Sequence, residues 1–386
     1  MAEAYIVESL RTAGGRRKGA LAGVHPADIG AAVLDALVKR SGVDPAAIED
    51  VIVGCVTQGG EQAFAFGRNL VLASSLPDSV PAVTIDRQCG SSQQALQFAA
   101  QAVMSGTQDL VIAAGAESMT RVPMGSNVAL YAQAGVGEGP WSKHIKDRYG
   151  VNEFSQFHGA QAIADKYGFT REDMDAYALE SHRRAAAAIK AGAFKDEIVP
   201  VQTVAGVFEQ DEGVRYDATM ESIGAVKTIA EGGTITAANA SQMTDGASGA
   251  LVASEAALKR FNLTPIARIV NLTVTAGDPV IMLEEPIPAT KKALERAGMK
   301  LDDIDLFEVN EAFASIPMAW LKALGADPAK TNVNGGAIAL GHPLGATGTK
   351  LMSTLIHALK ARGGRYGLQT MCEGGGISNV TIVERL

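Results

Sequence analysis

Four short stretches of the chain put reactive or polar side chains where an apolar run stops. In the first, Thr84-Ile85-Asp86-Arg87-Gln88 leads into Cys89-Gly90-Ser91, and an Ala- and Gln-rich amphipathic segment begins just after the thiol. A cysteine at a helix N-terminus meets the positive end of the helix dipole, which favours thiolate, and free backbone N–H groups there can hold an oxyanion. The same residue could equally be a small side chain filling a tight strand-to-helix corner. In the second stretch, Asn332 to Gly348, His342 stands in a glycine-rich turn. Pro343 biases it away from helical geometry, and the glycines allow close backbone approach. In the third, an apolar run ends at Cys372, followed by Glu373 and Gly374-Gly375-Gly376. In the fourth, the pair Asn310-Glu311 interrupts an apolar strand-like run before Ala312-Phe313-Ala314. Each could be structural alone. Four polar residues at element ends, two of them thiols, point to a shared cleft and nucleophilic chemistry. Cys55, inside the apolar run Val51 to Val56, reads instead as core. His25, His144, His182 and His357 have no comparable setting, and His158 reads as a solvated or packing residue on a helix.

The elements that must position these residues follow an α/β pattern, with strands expected over Ala4 to Ser9, Asp50 to Val56 and Asp109 to Ala114 and a helix over Ser91 to Ser105. Shifting the chain by 256 residues lays Leu37 to Val56 on Ala293 to Ala312, with Arg40/Arg296, Gly42/Gly298, Ile48/Ile304 and Val53/Val309 coinciding. The same shift sets Cys89 against Gly345, each ahead of a long helix, the second running to about Leu359. Two similar halves are therefore expected. Residues 1–120 form the first, completed by about 241–265, and 266–386 form the second. Residues 121–240 break step and read as an inserted loop domain, with helices over Gln156 to Tyr167 and Arg171 to Ala191, that shapes a binding site.

Composition narrows the function classes. At 386 residues, 47% apolar and 20% charged, the chain suits two to three globular domains. No run approaches a membrane span, and the start of the chain reads as a strand rather than a leader, so a cytoplasmic protein is expected. The net charge of −8 is mixed along the sequence and asks for no nucleic acid. Three cysteines without zinc spacing argue against a disulfide framework or a metal site.

Taken together, Cys89-Gly90-Ser91, Asn310-Glu311-Ala312-Phe313, Gly341-His342-Pro343 with Gly345-Ala346-Thr347-Gly348, and Cys372 with its glycines resemble the thiolase family. Asn239-Ala240-Ser241 and Asp245-Gly246-Ala247 extend the likeness over essentially the whole chain. The resemblance implies two βαβαβαββ-like halves in a five-layer αβαβα sandwich. It makes Cys89 the nucleophile that accepts the acyl group, His342 its base, and Cys372 the acid and base for acetyl-CoA and incoming CoA. One oxyanion site would use His342 and a water held by Asn310; the other would use the backbone N–H groups of Cys89 and Gly374. CoA is then a co-substrate, with no tightly bound cofactor. Arg215 and Ser222 match positions that meet its nucleotide end, and Ser241 matches the serine at the pantetheine arm. A homodimer or homotetramer is implied.

The sequence departs from the family in three places. Where acetoacetyl-CoA-forming members carry His-Met-Gly, the alignment puts Ser155 and Gln156, and His158 does not replace the missing residue. Leu283-Glu284-Glu285-Pro286 lacks the usual glycine before its proline, and Glu373 stands where many members are apolar. The first departure points to thiolytic cleavage of longer or bulkier 3-ketoacyl-CoAs. Alternatives are an acetoacetyl-CoA-forming acetyl-CoA acetyltransferase and, more remotely, a non-catalytic CoA- or lipid-binding relative. A ketosynthase would pair its cysteine with two histidines, and a thiol hydrolase would leave Cys372 unexplained.

Overall fold

In the computed structural model, which describes residues 2–386, two sheets repeat one plan. The first contains β1 (Tyr5–Thr12), β2 (Asp50–Gly54), β3 (Ala82–Ile85), β4 (Leu110–Ser118) and β5 (Thr244–Ala253) in the order β3-β2-β4-β5-β1. Within it β2 runs parallel to β3 and β4, and β5 is antiparallel to β4 and β1. The second contains β6 (Ala267–Ala276), β7 (Leu306–Val309), β8 (Tyr366–Glu373) and β9 (Ile377–Arg385) in the order β7-β8-β9-β6. There β7 and β8 are parallel, and β9 is antiparallel to β8 and β6. Thr331 makes a single parallel bridge to Phe307 on the free edge of β7, the place that β3 holds in the first sheet. An antiparallel contact, Tyr5 opposite Arg268 and Ile6 opposite Ala267, joins the two sheets.

Helices complete five layers. α1 (Pro26–Ser41) and α2 (Phe66–Ala73) cover the outer face of the first sheet. α3 (Ser91–Ser105) and α8 (Thr347–Arg362) pack together between the sheets, their apolar faces meeting Ile6, Ile52, Val111, Leu306 and Val383. α6 (Pro286–Ala297) and α7 (Ser315–Leu324) close the far side over Phe307, Leu368 and Ile382. The internal repeat is visible in the caps. Gly42 ends α1 at φ +71 and Gly298 ends α6 at φ +64, a left-handed geometry that glycine adopts without strain. Each is followed by a short 3-10 turn, Pro45–Ala47 and Leu301–Asp303, and then by β2 or β7.

Between β4 and β5 the chain makes a long excursion over residues 119–243, which rejoins the sheet where Ile198–Val199 pairs parallel with Arg11–Thr12 of β1. α4 (Gln156–Tyr167) and α5 (Arg171–Lys190) dominate this excursion, and Thr170 opens α5 with a capping box. Glu284, one of the unusual acids before Pro286, accepts hydrogen bonds from Tyr167 Oη and Lys166 Nζ, each at 2.7 Å, and so fastens the end of α4 to the second half. Element ends differ from the sequence pattern where tertiary partners decide them. β4 continues past Ala114 because β5 pairs with it as far as Ser118 opposite Asp245. β2 stops at Gly54, and α8 runs on to Arg362, where Gly363 caps it at φ +69.

Candidate active site

The turn that carries Cys89 is bent sharply. Gln88 takes φ +47, a left-handed conformation costly for a side chain other than glycine, and neighbouring bonds hold it there. Gln88 N donates to Asp86 Oδ1 at 2.7 Å, and Ser91 Oγ donates to Gln88 O at 2.6 Å while accepting from Arg87 N at 2.9 Å. The thiol emerges just ahead of α3, packed among Met119, Leu344, Leu351 and Met371. Burial, with the Glu373 carboxyl next to it, pushes Cys89 up to about 12. This corrects the thiolate expected from the helix dipole: desolvation outweighs the dipole, and Cys89 rests as a thiol.

His342 comes from the other half, in the turn before α8. Its own N–H donates to Thr244 Oγ1 at 3.1 Å and Gln242 O at 3.2 Å, while buried Lys350 donates to the carbonyls of Leu340 (3.1 Å) and Gly341 (3.0 Å) just ahead of it. Burial, helped by the Lys350 charge, holds His342 down to about 3, so the ring is a neutral base at physiological pH. Asn310 follows β7 directly, and its Nδ2 lies 3.4 Å from His342 Nε2. Asn310 Oδ1 is buried with no protein partner, so it can accept a hydrogen bond from a water or ligand. The neighbouring Glu311 is spent on structure, accepting from Ser181 Oγ (2.6 Å), Tyr177 Oη (3.1 Å), Ile338 N (3.1 Å) and Asn332 Nδ2 (3.2 Å).

Cys372 lies near the end of β8, fully buried, where desolvation and then the neighbouring Cys89 and Glu373 push its thiol well up. Gly374 follows. A Cβ there would come 3.0 Å from Gln88 Cγ, so this glycine turn presses on the residue before Cys89. Cys55 is core, as its apolar strand implied.

A cavity of about 400 Å³ opens onto His342. Met119, Met124, Phe157, Ile229, Met243 and Leu344 make it apolar, Ser241 lines it, and Arg16, Arg17 and Arg215 give it three guanidinium groups. Two residues at the departure from the family divide: Gln156 lines this cavity, whereas Ser155 caps α4 and lines a separate cavity with His158. Ser222 is not brought to the cavity wall. It sits in the short helix Met220–Gly224, where its Oγ accepts from Thr219 N (2.9 Å) and donates to Thr219 O (3.0 Å).

The family models described as "Thiolase, N-terminal domain" and "Thiolase, C-terminal domain" match residues 4–256 and 263–385. The chain belongs to the thiolase family. It is 53% identical to the steroid 3-ketoacyl-CoA thiolase FadA6 of Mycobacterium tuberculosis, over 100% of this chain and 95% of that one. To a 3-ketoacyl-CoA thiolase of Bacillus subtilis it is 41% identical, over 100% of both. A crystal structure of the Bacillus anthracis acetyl-CoA acetyltransferase superposes with a TM-score of 0.91 at 36% identity, covering 100% of this chain and 99% of that one. This thiolase is accordingly an acyltransferase. Its site also contains residues that the sequence pattern did not single out. Thr347 sits 2.6 Å from His342 Nδ1 inside the Gly-Ala-Thr-Gly motif, which was the available signal. Arg16, Arg17 and Phe157 gave none, because only the packing of the excursion against the turn after β1 shows that they share a cavity.

Proposed function

We propose that this thiolase acts in the degradative direction on 3-ketoacyl-CoAs with long or bulky acyl groups, using Cys89, His342, Asn310, Cys372 and Gly374 in the roles the family implies. His342 takes the proton of Cys89 as the thiolate attacks the 3-keto carbon. The Cα–Cβ bond then breaks, leaving the acyl group on Cys89 and the enolate of acetyl-CoA, which takes a proton from Cys372. The Cys372 thiolate next accepts the thiol proton of CoA, and the CoA thiolate attacks the acyl-Cys89 thioester, expelling the Cys89 thiolate, which takes its proton back from His342. Because Cys89 rests protonated and His342 rests neutral, charge separates only as attack begins, and the oxyanion sites are where it is stabilised.

The observation that carries the substrate class is the cavity wall of three methionines, two phenylalanines, one isoleucine and one leucine beside His342. Methionines adapt to irregular apolar shapes, and a relative 53% identical over the whole chain is named for a steroid substrate. Arg215, with Arg16 and Arg17 beside it, supplies local positive charge for the phosphates of CoA in a protein of net charge −8, and Ser241 meets the pantetheine arm. Ser222 then serves the nucleotide end by holding the Thr219 turn. The excursion at 121–240 forms the loop domain over halves 1–120, closed by 241–265, and 266–386. No helix among the described residues is long and apolar enough to cross a membrane, and a cytoplasmic homodimer or homotetramer without a tightly bound cofactor fits this reading.

The test is CoA-dependent cleavage of a panel from acetoacetyl-CoA through medium-chain to branched and ring-bearing 3-ketoacyl-CoAs, with Cys89→Ala as the blank. Higher kcat/KM for the bulkier thioesters is expected. Preference for acetoacetyl-CoA would replace this reading with the acetyl-CoA acetyltransferase.

A further inference from the structure

Glu117 and Glu373 stand 256 residues apart, at the matching ends of β4 and β8, and they are used differently. Glu117 accepts from the backbone N–H groups of Val56 (2.8 Å), Thr57 (3.0 Å) and Gly345 (2.9 Å) and from Gln62 Nε2 (3.1 Å). It knots the loop after β2 to the turn ahead of α8. The repeat maps Gly345 onto Cys89, so a carboxylate used in the same way in the second half would occupy the Cys89 amide.

Glu373 does something else. Its Oε1 accepts from Asn379 N at 3.1 Å and presses on Gly90 so closely that a Cβ there would lie 1.9 Å from it. Its Oε2 is buried with no protein partner. No step of the thiolase reaction uses this carboxyl. Arg87 and Cys89 neighbour it from the turn before α3, where Asp86 adds its charge at Cys89, and Cys372 neighbours it from its own strand, while β9 contributes Asn379, a neutral amide that in turn donates to Gln94 of α3. Burial holds its pKa well above the usual carboxylate range despite Arg87, and its charge would oppose ionisation of both thiols.

We propose that Glu373 is a positioning residue for the nucleophile: wedged under Gly90, it shares one buried pocket with Cys89 and Cys372, and it must keep its proton for either thiol to lose its own. The pocket then holds one negative charge at a time, and the acid leaves the Cys89 amide unoccupied for an oxyanion. This inference rests on the thiolase reading of Cys89, and its test is separable from that reading.

In the full-length protein, Glu373→Gln keeps the shape and removes the ionisable proton. Two profiles are compared with the parent: the pH dependence of Cys89 alkylation by iodoacetamide, read by mass spectrometry, and the pH dependence of thiolysis, each enzyme normalised to its own maximum. The alkylation midpoint is expected to fall by about one unit, and the alkaline decline of turnover to move upward or vanish. If circular dichroism shows that Glu373→Gln is unfolded, Glu373→Met carries the same readouts. A folded variant with both profiles unchanged, including one uniformly slowed at every pH, overturns the proposal. Failure of the parent Cys89 to take an acetyl group from acetyl-CoA would strike the thiolase reading instead.

Discussion

Thr347 Oγ1 lies 2.6 Å from His342 Nδ1, and the same hydroxyl donates to Pro343 O at 2.9 Å. A hydroxyl has one proton. With that proton on Pro343 O, the oxygen can only accept from His342, which places the imidazole proton on Nδ1 and leaves the Nε2 lone pair for catalysis. Thr347→Val keeps the shape and removes this constraint. It is expected to lower kcat roughly 10- to 100-fold with little change in KM, while Thr347→Ser retains most activity. Equal kcat for Thr347→Val and the parent would remove Thr347 from the mechanism.

The proposed roles give the two thiols different steps to serve. Cys89→Ala is expected to take no acyl label from an acyl-CoA. Cys372→Ala is expected to take the label at Cys89 and then stall, because no group remains to accept the thiol proton of CoA. Intact-mass measurement after a short incubation separates the cases, and a labelled Cys89→Ala protein would refute the nucleophile assignment.

Much of this site was legible because its signals are local. A thiol just ahead of an amphipathic helix and a histidine in a run of glycines are properties of neighbouring residues, and the repeat is a match between two such local patterns at constant offset. The repeat set Gly42 against Gly298, and the structure shows both capping their helices in the left-handed geometry that glycine adopts without strain. Burial was not legible. The dipole argument at Cys89 considered only the helix behind the thiol, whereas Met119, Leu344 and Met371 come from distant segments and reverse the outcome. Nothing in the sequence set Arg16 and Arg17 apart, and Glu373 read as a mere departure, for the same reason.

Acid should weaken the fold through two histidines buried in the neutral state. Burial holds His342 down to about 3, and burial with the Arg215 charge holds His182 down to about 4. In the unfolded chain both bind a proton near pH 6.5, so the unfolded state carries the extra protons between that pH and the folded values. Stability is therefore expected to fall as pH drops below about 6.5, with each histidine contributing a slope of up to about 1.4 kcal/mol per pH unit. Urea unfolding of the parent and of His342→Gln between pH 7 and pH 5 checks this. The variant should lose less stability over that range, and parallel losses would mean that His342 is not buried neutral.

The last prediction concerns the charges behind the His342 turn. Arg11 on β1 is fully buried, with Nη1 and Nη2 on Asp211 Oδ1 (2.8 Å) and Oδ2 (3.0 Å) and Nε on Glu197 Oε1. Both acids belong to the excursion between β4 and β5, so this cluster fastens that segment to the first sheet. Burial alone would raise Asp211, but Arg11 more than offsets it and holds the carboxyl below its usual range. Arg11→Met leaves two buried carboxylates that act on the charge of buried Lys350, and Lys350 is also what holds the carbonyls of Leu340 and Gly341 ahead of the His342 ring. Removing one partner of a buried ion pair costs about 3–5 kcal/mol, because the charges left behind stay desolvated. Urea unfolding at pH 7 should show a loss of that size, together with reduced kcat as Lys350 is drawn toward the acids. Adding Asp211→Asn to Arg11→Met removes one stranded charge and should recover part of the stability. If the double variant were as unstable as the sum of the singles, the cluster would be acting through packing alone.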